Sequence, residues 1–213
     1  MSKIKYILFD AANTLIHKPK VWENMHLSLR KFGFNVPDEL LKRNHKLLSE
    51  CLRFPDRTSK EFYKGFNAEL LYSLGISPSP DLLNEIFSSC TYLPWEKFSD
   101  TDIVNSIKLP MGILSNFNSS LKEIITKEFG ETFTHIFVSE NYGVAKPNPL
   151  FYEKALHEIG LSPDEILYIG DSIKLDMEPS IITNFKSLLI DREKVYPVYE
   201  NRITSLEQIT LYL

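Results

Sequence analysis

Four helical patterns follow one another between residues 20 and 89 with no strand-like run to separate them, and this restricts the fold more than any other feature. In the first, Val21, Met25, Leu29 and Phe32 recur at helical spacing, and Gly33 stands where a helix end takes a left-handed residue. The second, residues 37–53, opens on Pro37 and Asp38 and carries an apolar stripe of Leu40, Leu41, Leu47, Leu48, Cys51 and Leu52. A third starts at Thr58, whose hydroxyl and Glu61 have capping-box spacing, and runs to Leu74 before Gly75. The fourth covers residues 81–89. One crossover of a compact βαβ unit has no room for four helices, so residues 17–94 are expected to form an inserted helical domain. Prolines at both flanks suit hinges.

Outside the insertion, strands and helices alternate. Residues 3–10, 111–115, 134–139, 166–169 and 186–190 read as strands. Helices are expected at 119–129, 149–159 and, for most of its length, 172–183. Gly130 and Gly160 close the first two, and Asn141-Tyr142-Gly143 reads as a loop. Alternation of this kind implies an α/β protein. Its core, residues 1–16 and 95–213, should be a Rossmann-like, doubly wound parallel sheet.

Charge and composition exclude some functions. A net charge of -4 and no Lys/Arg cluster on any single predicted helix argue against a nucleic-acid partner. No apolar run approaches the ~20 residues that span a bilayer, so a membrane partner is not expected. Cys51 and Cys90 lack CxxC spacing and lie in helical patterns, which reads as two reduced, partly buried thiols in a cytoplasmic protein. Nothing in the sequence sets an oligomeric state.

Chemistry in a doubly wound sheet gathers beyond the carboxyl ends of its strands. The run Ile7-Leu8-Phe9 ends on Asp10, a candidate nucleophile, and a second strand ends on Ser115 and Asn116. Lys146 stands in Gly143-Val144-Ala145-Lys146-Pro147-Asn148-Pro149, where prolines restrain the backbone. A fourth strand is followed by Gly170-Asp171-Ser172 and Asp176. Singly, each of these could be a turn, capping or surface residue. Together they supply what phosphoryl transfer through an aspartyl phosphate requires. Asp10 attacks phosphorus, Ser115, Asn116 and Lys146 bind the non-bridging oxygens, and the acidic pair holds Mg²⁺, which prefers oxygen ligands.

The ordered set Phe9-Asp10-x-x-x-Thr14-Leu15, Leu114-Ser115-Asn116, Ala145-Lys146-Pro147 and Gly170-Asp171-Ser172 to Asp176 resembles the four motifs of the haloacid dehalogenase-like superfamily. The resemblance covers essentially the whole chain, and a helical insertion after the first motif is like that family's C1 cap. It implies that Asp10 is the nucleophile, Ser115 and Lys146 phosphate ligands, and Asp171 a direct Mg²⁺ ligand. Asp176 would be a metal ligand or a carboxylate behind it, and the backbone carbonyl of Ala12 a further metal ligand. A small phosphorylated metabolite is the implied substrate.

The chain departs from the family pattern at Ala12, where phosphatases of this kind carry a second Asp that protonates the leaving oxygen. Loss of such a general acid costs about 10² to 10⁴ in rate. Two alternatives therefore stand beside the phosphatase. Phosphonatase-like members have Ala at this position, cleave a C–P bond and use a cap lysine; Lys18, Lys42, Lys46, Lys60 and Lys64 are available. A non-catalytic phosphate- or partner-binding module is the other. Dehalogenation ranks low, because dehalogenases generally lack the acidic residue corresponding to Asp171. Tyr152 matches a dehalogenase tyrosine, but core packing is its expected role. Trp22, Phe54, Phe62, Tyr63 and Phe66 are aromatic candidates for specificity, with packing inside the insertion as the plainer reading.

Overall fold

A computed structural model describes residues 3–55 and 57–213. The chain runs β1 (Tyr6–Phe9), β2 (Ile16–His17), α1 (Lys20–Lys31), α2 (Asp38–Cys51), α3 (Lys60–Ser73), α4 (Pro80–Cys90) and β3 (Glu96–Lys97). It continues through β4 (Met111–Ser115), α5 (Leu121–Phe129), β5 (His135–Val138), α6 (Ser139–Tyr142), α7 (Pro149–Ile159), β6 (Ile166–Gly170), α8 (Glu178–Ile182), β7 (Lys186–Ile190) and β8 (Arg202–Ile203). Two compact units result, one of residues 1–17 with 97–213 and one of residues 18–96.

The first unit is built on a six-stranded sheet in the order β5-β4-β1-β6-β7-β8, parallel throughout. From β1 the chain moves outward to β4 and β5, then returns to the other side of β1 for β6, β7 and β8. The winding therefore reverses between β1 and β6, where a doubly wound sheet opens a crevice. Every residue of β1, β4 and β6 is buried, as expected of strands covered on both faces. On one side Tyr6, Leu8, Leu114, Phe137, Tyr152, Tyr168 and Leu189 pack into a common core with Phe151 and Ala155 of α7.

Several local expectations are corrected. The first strand, Tyr6–Phe9, is shorter than the expected residues 3–10 because pairing with β6 starts at Tyr6 and pairing with β4 at Ile7. Asn141-Tyr142-Gly143 marks not a loop but the end of the one-turn helix α6, with Gly143 closing it in the left-handed conformation at φ 62°. Residues 172–183 begin as a π-helical turn, Ile173–Met177, before α8. The 3₁₀ segments Ser99–Ser106 and Leu206–Tyr212, together with β8, are too short to carry a readable period.

In the second unit, Met25 and Leu29 of α1, Leu41 of α2, Leu70 and Leu71 of α3 and Leu82 and Ile86 of α4 form one core with Ile76. Helix α3 is capped by Ser59 rather than Thr58: the Ser59 hydroxyl accepts from the Phe62 N–H at 3.1 Å. The stripe on α2 is less buried than its spacing implies. Only Leu41 is fully buried, while Leu40 and Leu47 are exposed. Cys51, at the same helix's end, is an exposed thiol rather than a partly buried one, and Cys90 is half-buried. Among the described residues, no helix is long and apolar enough to cross a membrane.

Candidate active site

Asp10 lies one residue past β1, at the reversal of the sheet, and its N–H donates to the Ile169 carbonyl of β6 at 2.8 Å. The residue is 5 % exposed. Oδ1 accepts from Ser115 Oγ at 3.2 Å and from Lys146 Nζ at 2.6 Å, so β1, the end of β4 and the loop before α7 converge on one oxygen. Burial raises the Asp10 pKa to about 7; Lys146 opposes that rise, and Asp176 and Asp171 add to it. A carboxylate with this environment needs a cation nearby to stay ionised at neutral pH.

Lys146 is the buried hub. Its Nζ also donates to Asp176 Oδ1 at 2.6 Å and to the Tyr168 hydroxyl at 3.2 Å, while Tyr168 itself donates to the same Asp176 oxygen at 2.7 Å. Burial disfavours the ammonium, but Asp10 and Asp176 outweigh it and hold the Lys146 pKa above its ordinary value. Asp176 is bound at its second oxygen too, accepting from the Ser172 N–H at 2.9 Å. The π-helical turn brings that carboxylate back over the backbone of β6. A Cβ on Gly170 would meet the Asp176 Cβ at 2.5 Å, which only glycine avoids.

Asn116 has a different place from the one expected of a phosphate ligand. Its Nδ2 donates to the Lys146 carbonyl at 2.8 Å and its Oδ1 accepts from the Lys146 N–H at 2.7 Å, so its amide clamps the lysine's backbone. Asp171, directly after β6, is half-exposed. Carboxylate oxygens of Asp10, Asp171 and Asp176 all lie within 4.8 Å of one another. Such a trio of hard oxygen donors suits a small divalent cation.

Ala12 sits in a tight turn between β1 and β2. The Leu15 and Ile16 N–H groups donate to the Ala11 carbonyl at 2.8 and 3.0 Å, and Asn13 takes a left-handed φ of 62°. Thr14 is fully buried, and its hydroxyl alone among the described buried side-chain polar atoms has no partner.

A model of the haloacid dehalogenase-like hydrolase family matches residues 4–179, which span all of these positions. The chain belongs to that family. Among its relatives, the glyceraldehyde 3-phosphate phosphatase of Methanopyrus kandleri is 32 % identical over 200 residues, covering 90 % of this chain and 85 % of its own. A haloacid dehalogenase-like hydrolase domain-containing protein 3 of Danio rerio is 23 % identical, covering 89 % and 86 %. In fold, the chain is similar to the putative HAD-hydrolase YfnB of Bacillus subtilis bound to magnesium, with a TM-score of 0.67, 19 % identity and coverage of 100 % and 99 %.

Two residues of this haloacid dehalogenase-like site escaped sequence reasoning. Tyr168 stands in a fully buried strand, where its hydroxyl is indistinguishable by pattern from core packing. Arg192, two residues past β7, reaches the Asn13 and Thr14 carbonyls. Neither carries a motif of its own. The aromatic candidates of the helical unit form a chain of ring contacts instead: Trp22 on His45, His45 on Phe66, Phe66 on Phe54 and Phe62, Phe54 on Phe62, and Phe62 on Tyr63, with centroids 4.8 to 6.5 Å apart.

Proposed function

We propose that this protein is a Mg²⁺-dependent hydrolase of a small phosphorylated metabolite that works through an aspartyl phosphate. One observation carries the reading: Asp10, Asp171 and Asp176 bring carboxylate oxygens within 4.8 Å of one another, with Lys146 bridging two of the three. Asp10, Asp171 and the carbonyl of Ala12 would hold the ion. Asp176 is engaged by Lys146, Tyr168 and Ser172 and serves to fix the lysine. The ion would supply positive charge against phosphate oxygens and relieve repulsion between Asp10 and the phosphate.

In the first step the Asp10 carboxylate attacks phosphorus, the bond from phosphorus to the leaving oxygen breaks, and the phosphoryl group passes to Asp10. Ser115 and Lys146 donate to its non-bridging oxygens. Water then attacks phosphorus, releasing inorganic phosphate and restoring the carboxylate. The phosphate-named relative from Methanopyrus kandleri supports a phosphorylated substrate. We read Lys18–Glu96, inserted after the first motif, as a C1-type cap.

Ala12 offers no proton to the leaving oxygen. Acyl phosphates and p-nitrophenyl phosphate, whose leaving groups depart without one, should be turned over far better than alkyl phosphates. Ala12→Asp should raise alkyl phosphate hydrolysis by up to about 10² to 10⁴, with a smaller gain on aryl phosphates. Steady-state kinetics on both substrate classes, with trapping of phosphate on Asp10 and Asp171→Ala as the inactive control, tests the reading. Equal gains, or no labelled Asp10 in the wild type, would sink it.

One observation favours a second reading. The Lys18 pKa is lowered by burial, a property useful in a lysine that forms a Schiff base. Borohydride trapping of a carbonyl-bearing phosphonate on Lys18 would establish C–P bond cleavage instead.

A further inference from the structure

The structure assigns Arg192 the role of a positioning residue that locks the turn behind the nucleophile and ties it to the segment where the chain re-enters the sheet unit. Four N–H donors of its guanidinium are committed. Nε and Nη2 form a fork on Asp100, at 2.9 and 2.8 Å, while Nη1 donates to the Asn13 carbonyl at 3.0 Å and Nη2 to the Thr14 carbonyl at 2.9 Å. The guanidinium carbon also lies 3.9 Å over the Phe98 ring, which stacks in turn on His17 at 3.9 Å. Asp100 is fixed independently, since its Oδ2 accepts from the Leu206 N–H at 3.0 Å.

The turn needs this anchor because of Asn13. A left-handed φ is uphill for any residue with a Cβ, and the tilt of the Ala12–Asn13 peptide plane depends on that angle. Holding the next two carbonyls from outside keeps Asn13 from relaxing, and so keeps the Ala12 carbonyl at a fixed angle beside Asp10. The Phe98 N–H donates to the Leu15 carbonyl at 3.1 Å, a second tie between the same two segments. Lysine has neither the fork nor the plane to replace Arg192.

The inference rests on the reading of the Ala12 carbonyl as a metal ligand, and two measurements keep the claims apart. Isothermal titration of the metal-free protein with Mg²⁺ should show binding weakened about 10- to 100-fold in Arg192→Ala, the size expected for a partner behind the ligands, and nearly as much in Arg192→Lys. Arg202→Ala is the control: it removes an ion pair at 3.0 Å to Asp191, at the same end of β7, without touching the turn. Without metal, hydrogen exchange at the Leu15 and Ile16 amides should quicken in both Arg192 variants and not in Arg202→Ala. Wild-type Mg²⁺ affinity in Arg192→Lys, or equal losses in Arg192→Ala and Arg202→Ala, would overturn the assignment. If the wild type binds no Mg²⁺, the metal reading falls, and unchanged exchange at Leu15 and Ile16 would then overturn the role of Arg192 as well.

Discussion

Four residues after Asp10 stands a residue with an unusual liability. Thr14 is fully buried with its hydroxyl unpaired, although its backbone carbonyl is taken by Arg192. An orphan buried hydroxyl costs about 1 to 3 kcal/mol of desolvation, and valine has nearly the same shape without it. Thr14→Val should therefore raise stability by roughly 1 kcal/mol in urea unfolding. A destabilised variant would mean that the hydroxyl finds a partner in solution. The residues at the ends of β1, β4 and β6 were legible because each interrupts an apolar run, and a polar group at such a break is conspicuous. Tyr168 and Arg192 were not. One is an aromatic among aromatics, and the other depends on Asp100, a partner 92 positions away that no local pattern announces.

At the scale of elements, the helix and strand periods located the alternation and the four successive helices, since long amphipathic patterns are insensitive to tertiary context. Features that depend on a single distant bond were lost. The π-helical turn before α8 exists where Asp176 folds back to the Ser172 N–H, and α6 is a single turn that ends on Gly143. The loop carrying Lys146 is similar: its geometry is set by Asn116 at the end of β4, through two bonds of 2.7 and 2.8 Å to one peptide unit on either side of the lysine Cα. Asn116→Ala should leave Lys146 present but loosely aimed. With Lys146 in its proposed role, misplacing it by about 1 Å can cost 10² in rate, so kcat should fall by up to about 100-fold while secondary structure by circular dichroism is unchanged. Undiminished kcat would show that the prolines alone hold the loop.

At the scale of the molecule, each unit carries a titrating group whose pKa desolvation shifts, and the two shifts run in opposite directions. In the helical unit, burial, reinforced by Lys46, lowers the His45 pKa to about 4, so the folded state prefers the neutral ring between Trp22 and Phe66. An unfolded histidine protonates near pH 6.5, so the stability contributed by His45 is whole above that value and is lost as pH falls toward 4. In the sheet unit, burial raises Asp10 to about 7 from the ordinary carboxylate value near 3.8. Its contribution runs the other way, whole below the unfolded value and lost as pH rises through 7. Mild acid should thus weaken the unit of residues 18–96 while relieving the sheet unit of the cost of its buried carboxylate. Native-state hydrogen exchange of the metal-free protein at pH 7.5 and 4.5, corrected for intrinsic rates, follows both at once. His45→Phe should remove roughly 1 to 3 kcal/mol of the acid-induced loss in α1 to α4, and Asp10→Asn should flatten the pH response of β1, β4 and β6. Other carboxylates titrate over the same range, so the comparison that matters is each variant against wild type within one unit. An acid response in α1 to α4 that is the same in His45→Phe would show that the ring is solvated in the folded protein and that surface charge governs this unit.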